Sequence, residues 1–233
     1  MLHLRHLMIA ATILACLPGG RAPAAESYLT MAPLDQYRMP DRDAEIALAR
    51  SAAPQSLSDD AEILVFGTKG YETAATGKNG FTCLVERSWG ADFDDAEFWN
   101  PKIRGPICFN AAGAHSILSV YLERTGWVLA GTSREEMLTR TRSAVTANQI
   151  TPPDTGAMCY MMSKDAYLSD KGGAGGHWHP HLMFYLPKTE EASWGANAKL
   201  SPVFGGPLGT EPTSLFIVEV PTWSDGSPGP VDH

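Results

Sequence analysis

One segment limits the possible folds more than any other: Gly172-Gly173-Ala174-Gly175-Gly176-His177-Trp178-His179-Pro180-His181-Leu182-Met183-Phe184-Tyr185-Leu186-Pro187. After the glycines it alternates with the period of an extended strand. His177, His179, His181, Met183 and Tyr185 share one side, and Trp178, Pro180, Leu182, Phe184 and Leu186 the other. The second side is apolar throughout, so it is expected to lie on the core. The first gathers imidazoles, a thioether and a phenol.

His-x-His on one strand is a route to a metal site. Side chains at i and i+2 stand roughly 6.5–7 Å apart on one face. Two imidazoles at that spacing can converge on one ion through bonds of about 2.0–2.1 Å. His177 and His181 would lie about 13 Å apart on a straight strand. The expected metal ligands are therefore a pair drawn from His177, His179 and His181, completed from elsewhere. Pro180 lacks an N–H and favours a strand start, an edge or a bulge. The preceding glycines permit a tight lead-in.

The N-terminus reads as a leader. A short basic start is followed by the apolar run Leu7 to Cys16, and Ala22-Pro23-Ala24 fits cleavage after a small residue. The expected organisation is a signal peptide over residues 1–24 and a single α+β domain over 25–233. The expected location is outside the cytoplasm, in the periplasm. Anchoring as a lipoprotein through Cys16 is the rival. No later stretch is apolar enough over the length needed to span a bilayer. Losing Arg5 and Arg21 takes the formal net charge from −8 to about −10, which argues against nucleic acid as a partner. The partner expected is a small molecule or a metal. Cys83, Cys108 and Cys159 remain after cleavage. Cys83–Cys108 is the favoured bridge, since the pair flanks one long loop in a chain bound for an oxidising compartment.

The remaining elements follow from caps and periodicity. Asp41, Asn110 and Ser133 are N-caps for helices of about 42–53, 111–125 and 134–147. Strands are expected at Ile63–Phe66, Tyr71–Ala75, Phe81–Arg87, Met158–Met162, the histidine segment and Leu215–Val220. Asn79-Gly80 signals a tight hairpin between the second and third of these. Ser88–Pro106, with its acids between Asp92 and Glu97, reads as a solvated loop, and Ser201–Pro212 as another loop. Strands interrupted by a block of helices predict an α+β fold. Its sheet is expected to be mostly antiparallel, with about six strands and two or three packed helices.

Four stretches carry a resemblance: Gly80–Ser88, Phe98–Lys102, Gly156–Ser163 and His177–Tyr185. They resemble a family of exported bacterial proteins that share the Gly-His-Trp-His-Pro-His-Leu-Met-Phe-Tyr motif. The resemblance implies export and a shared fold. It brings no established activity, cofactor or catalytic residue, so the chemistry rests on the residues themselves.

Several catalytic motifs are absent: no Gly-x-Ser-x-Gly elbow, His-Glu-x-x-His helix, phosphate-binding Gly-Lys-Ser/Thr loop, Gly-x-Gly-x-x-Gly or Cys-x-x-Cys. Three readings stay open. In the first, two histidines and the mid-strand Glu86 hold zinc, with an open position for hydrolysis. If Cys159, Met161 or Met183 contributes instead, the softer donors favour copper. In the second, a histidine acts as a metal-free general base, oriented by Glu86, with Arg87 holding an anion. In the third, the chain is a non-catalytic envelope protein that binds a ligand or partner through Trp178, Trp89 and Trp99.

Overall fold

A computed structural model describes residues 28–171 and 178–230. The expected leader, with Cys16, lies outside the described residues, as does Gly172 to His177. The fold is α+β. Eight strands form one mixed sheet: β1 (Glu62–Gly67), β2 (Gly70–Ala75), β3 (Thr82–Glu86), β4 (Gly105–Phe109), β5 (Met158–Met161), β6 (His181–Pro187), β7 (Val203–Pro207) and β8 (Thr213–Glu219). Their order is β2-β1-β3-β4-β5-β6-β8-β7. Among the described residues, no helix is long and apolar enough to cross a membrane.

The expected sheet of about six mostly antiparallel strands is too small, and one pair is parallel. β4 and β7 are the additions; both fall in stretches that read as loop or carry Pro and Gly. The hairpin expected at Asn79-Gly80 does not form. β2 turns back on β1 as expected, but β3 lies on the far side of β1 and runs parallel to it. Burial explains this. β3 is buried along Thr82 to Val85 and needs a neighbour on each side, whereas β2 exposes its middle residues. Asn79 instead ties its own loop: Oδ1 accepts from the Phe81 N–H and Nδ2 donates to the Leu57 carbonyl.

The helices start where their caps place them. Asp41 accepts from the N–H groups of Asp43 and Ala44 at the head of α1 (Arg42–Arg50), followed by a short α2 (Gln55–Ser58). Asn110 accepts from the Gly113 N–H, opening α3 (Ala111–Gly113). The chain then passes through one π-helical stretch, Ala114–Leu118, into α4 (Ser119–Leu129). Ser133 accepts from the Glu136 N–H and opens α5 (Arg134–Thr146).

The sheet is covered on both faces. On one, Leu84, Ile107, Phe109, Met183 and Tyr185 meet Leu118, Tyr121, Val128 and Met137 from the helices. On the other, Ile63, Cys83, Val85 and Cys108 meet Ala49, Ala52 and Ala53 at the end of α1. Burying a Leu, Ile, Val or Phe side chain in this way stabilises the fold by about 1.5–3 kcal/mol each. Cys83 and Cys108 are direct cross-strand neighbours and form the expected disulfide, with Cα atoms 3.9 Å apart. Cys159 is a buried free thiol.

The histidine strand begins at His181, directly after Pro180, as that proline requires. Its inward face is the reverse of the one expected. His181, Met183 and Tyr185 are buried, while Leu182, Phe184 and Leu186 are only partly covered. Phe184 leans on Trp194, whose ring stacks on Phe216 at 4.8 Å. The polar-bearing face lies under the helices, where the Tyr185 hydroxyl meets the Cys159 thiol at 3.5 Å and the Met183 sulfur at 4.0 Å.

Candidate functional site

Between the helix-covered face of the sheet and the helices lies a cavity of about 340 Å³, within the lower part of the roughly 300–1,000 Å³ range of small-molecule pockets. Its sheet wall comes from Glu86, Gly105, Met161, Met183, Tyr185 and Leu215. Its helix wall comes from Ser116 and Ile117 of the π-helical stretch and Val120, Tyr121 and Arg124 of α4. The 88–97 loop and the 208–213 loop complete it, with Ser88, Asp92, Asp95, Glu97 and Glu211 among the lining residues.

Glu86 is the last residue of β3 and faces opposite Val85, as alternation on that strand predicts. No hydrogen bond or ion pair reaches its carboxyl group from a described residue. Burial pushes its pKa from 4.5 up to about 7, against a smaller opposing pull from Arg124. Gly105 opposite leaves it room: a Cβ there would stand 3.1 Å from Leu168, 3.5 Å from Met161 and 3.7 Å from the Glu86 Cβ.

A relay of hydrogen bonds fixes the end of β3 beneath this carboxyl. The Arg87 N–H donates to the Tyr121 hydroxyl at 2.8 Å, which lies 2.9 Å from the Tyr71 hydroxyl; Tyr71 donates to the Val85 carbonyl at 2.5 Å. One proton direction satisfies the relay: Tyr121 donates to Tyr71. Burial raises the pKa of both phenols, so they remain protonated donors.

Arg87, expected to hold an anion, makes its contacts within the protein. Its guanidinium is fully buried and committed. Nη2 donates to Glu45 Oε1 at 2.8 Å, Nε to the Tyr37 carbonyl at 2.6 Å, and Nη1 to the Val85 carbonyl. Glu45 also accepts from the Phe66 N–H. The pair joins α1 to the end of β3 and is structural.

The cavity's other guanidinium, that of Arg124, is also engaged. It pairs with Glu211, donates to the Ala91 carbonyl at 3.2 Å and lies 4.3 Å from the centre of the Phe93 ring. Asp92, between Glu211, Asp94 and Asp95, has its pKa raised by burial and by those negative neighbours. The acidic stretch is exposed at Asp92, Asp94 and Asp95, as expected of a solvated loop, and it also borders the cavity. Ser88 Oγ and Arg124 Nε, both on residues lining the cavity, are buried with no hydrogen-bond partner among the described residues. Buried polar atoms are rarely left so. Sequence reasoning missed Arg124, Glu211 and Ser88; none sits in a motif, and Glu211 reaches Arg124 across 87 residues.

The expected metal ligands are only partly brought together. His177 lies outside the described residues. His179 Nδ1 is 3.9 Å from Glu219 Oε2, and His181 Nδ1 is 2.8 Å from the His179 carbonyl oxygen. Burial lowers the pKa of His181, so it is neutral near pH 7. Glu86 does not join them: β4 and β5 separate β3 from β6, which puts it roughly 14 Å away across the sheet. Among the described residues, no group of three or more His, Cys, Asp or Glu is placed to hold a metal ion. The softer donors do cluster. Cys159 lies opposite Met183, and Met161 opposite His181, on adjacent strands and on one face. Trp89 and Trp99, expected to contact a partner, are core residues at 0% and 3% exposure.

No protein-family model, curated protein or solved structure matches the chain.

Proposed function

We propose that this protein binds a small, largely apolar molecule in the cavity between sheet and helices, held by a polar group of the ligand at Glu86. One observation carries the reading: Glu86 lines a mostly apolar cavity, and its carboxyl has no hydrogen-bond or ion-pair partner among the described residues. Glu86 is only partly buried, but a carboxyl at the edge of apolar surroundings without a protein hydrogen bond is poorly solvated, and a ligand that supplies a partner offsets that cost. Ser88 and Arg124 add unspent polar atoms beside the same space. A carboxyl titrating near neutrality can also exchange a proton with whatever it binds. Ligand-observed NMR with a set of apolar fragments tests the proposal. Binding by several fragments, abolished when Val120→Trp fills the cavity in a protein that still folds, is the expected result. Fragments that bind the variant as well as the parent would place them elsewhere and overturn it.

A second reading rests on the Cys159, Met161, Met183 and His181 cluster. Thiolate and thioether donors select copper(I), so this set suits a soft ion better than zinc. Titration with copper(I) against a competing chelator tests it. One tight equivalent, lost in Cys159→Ser, supports it, whereas no uptake sinks it. Export to the periplasm remains our proposal for location, supported by the leader-like residues 1–24.

A further inference from the structure

We infer that the cavity's ligand is an organic cation, an ammonium group on an apolar body, with Glu86 as its counter-ion. This deepens the small-molecule reading above and rests on it. Three features of the site lead there.

The first is an excess of negative charge among the described lining residues, where both guanidinium groups are already paired. Glu86, Asp92, Asp95, Glu97 and Glu211 are among the lining residues, although Asp92 and Asp95 also face solvent and Glu97 accepts hydrogen bonds from Ser169, Asn100 and the Asp170 N–H. Against them stand two guanidinium groups, and each has its own carboxylate: Arg87 has Glu45, and Arg124 has Glu211. An anionic ligand would meet these carboxylates, and the one unspent guanidinium atom, Arg124 Nε, belongs to a group already neutralised by Glu211. A cation meets Glu86, which has none.

The second is the lining around Glu86. Ile117, Val120, Met161 and Leu215 suit a hydrocarbon body rather than a hydrated ion. The rings of Tyr121 and Tyr185 line the same space, and aromatic faces attract ammonium groups. The third is the lack, among the described residues, of any three-group cluster that would hold a metal ion, so the carboxylates are not arranged as a cage for a bare cation.

The charge state of Glu86 links binding to pH. α4 turns Tyr121 and Arg124 toward it, the sheet adds Tyr185 and Cys159, and the loops add Asp92, Asp95, Glu97 and Glu211. Burial keeps Tyr121, Tyr185 and Cys159 protonated throughout the neutral range. Glu86 is the group whose pKa lies near 7. An ammonium ion favours its ionised form, so binding displaces a proton from the fraction of protein that carries one. Affinity rises with pH through about 7 and levels once Glu86 is fully ionised.

Calorimetric titration of the purified chain with cyclohexylmethylamine, cyclohexylmethanol and cyclohexanecarboxylate tests this, since the three share a body and differ in the head group. At pH 8 the amine should bind about tenfold or more tighter than the alcohol, and the carboxylate weakest. Glu86→Gln should bring amine and alcohol to similar affinity. In the unaltered protein the amine's advantage should shrink by pH 5.5, a readout that needs no variant. Alcohol binding as tightly as amine, or an amine preference that survives Glu86→Gln, would overturn the cation while leaving the cavity reading intact. Failure of all three probes and of the apolar fragments would overturn both.

Discussion

Gly90 stands against the Glu86 carboxyl: a Cβ built on Gly90 would lie 3.2 Å from Glu86 Oε2 and 3.5 Å from the Tyr121 ring. That is tight contact with the end of a movable side chain. Gly90→Ala should therefore fold, with stability changed by less than about 1 kcal/mol, while pushing the carboxyl out of position. Cyclohexylmethylamine should bind this variant about tenfold more weakly, measured by calorimetry. Unchanged affinity would mean that the position of Glu86 does not matter.

Stability should depend on pH through Glu86 in an unusual direction for a carboxyl. Its pKa is about 7 in the folded chain and ordinary, near 4.5, in the unfolded chain. Between these values the folded state holds more protons, so rising pH lowers stability. The penalty is absent below pH 4.5 and complete above pH 7. Glu86→Gln, which mimics the protonated form, should be nearly neutral at pH 4.5 and stabilising by about 1–3 kcal/mol at pH 8. Thermal unfolding at both pH values checks this. An equal effect at both would remove the buried-carboxyl account.

Arg87 and Glu45 should behave as one structural unit. Removing either partner leaves a charge buried without compensation, at a cost of about 3–5 kcal/mol. Arg87→Met and Glu45→Leu should each destabilise by that amount in urea unfolding. The double variant should lose less than the two single losses combined. Simple additivity would show that the 2.8 Å contact is not a coupled pair.

The Cys83–Cys108 bridge spans 25 residues, for which chain entropy gives roughly 3–4 kcal/mol. The double alanine variant should lose about that much and show an earlier thermal transition. Cys159, 0% exposed with a thiol pKa raised by burial, should resist alkylation until the protein unfolds. Rapid labelling of the native protein would contradict its placement.

Local chemistry was readable wherever the determinants were local. Asp41, Asn110 and Ser133 cap the helices they should, and the alternation along Phe81–Arg87 correctly sends Glu86 and Leu84 to one side and Cys83 and Val85 to the other. β7 was hidden because Gly205, Gly206 and Pro207 look like loop; Gly205 holds φ at +112°, where a side chain would strike the Leu215 carbonyl at 2.1 Å. The histidine face was misread because alternation assigns a core side only when the other side meets water. Here both faces are covered, and the face with the phenol and thioether lies deeper. Arg124 and Glu211 meet through tertiary structure alone, which no local pattern reports.

The π-helical stretch at Ala114–Leu118 works as a phase shift between the cap at Asn110 and the residues of α4. Each residue advances an α-helix by about 100°, so shortening this stretch by one would swing Tyr121 and Arg124 about a quarter-turn off the sheet. Tyr71 would then lose its neighbour and Glu211 its cation. The spare residue in that turn thus sets the rotational alignment on which both ends of the cavity depend.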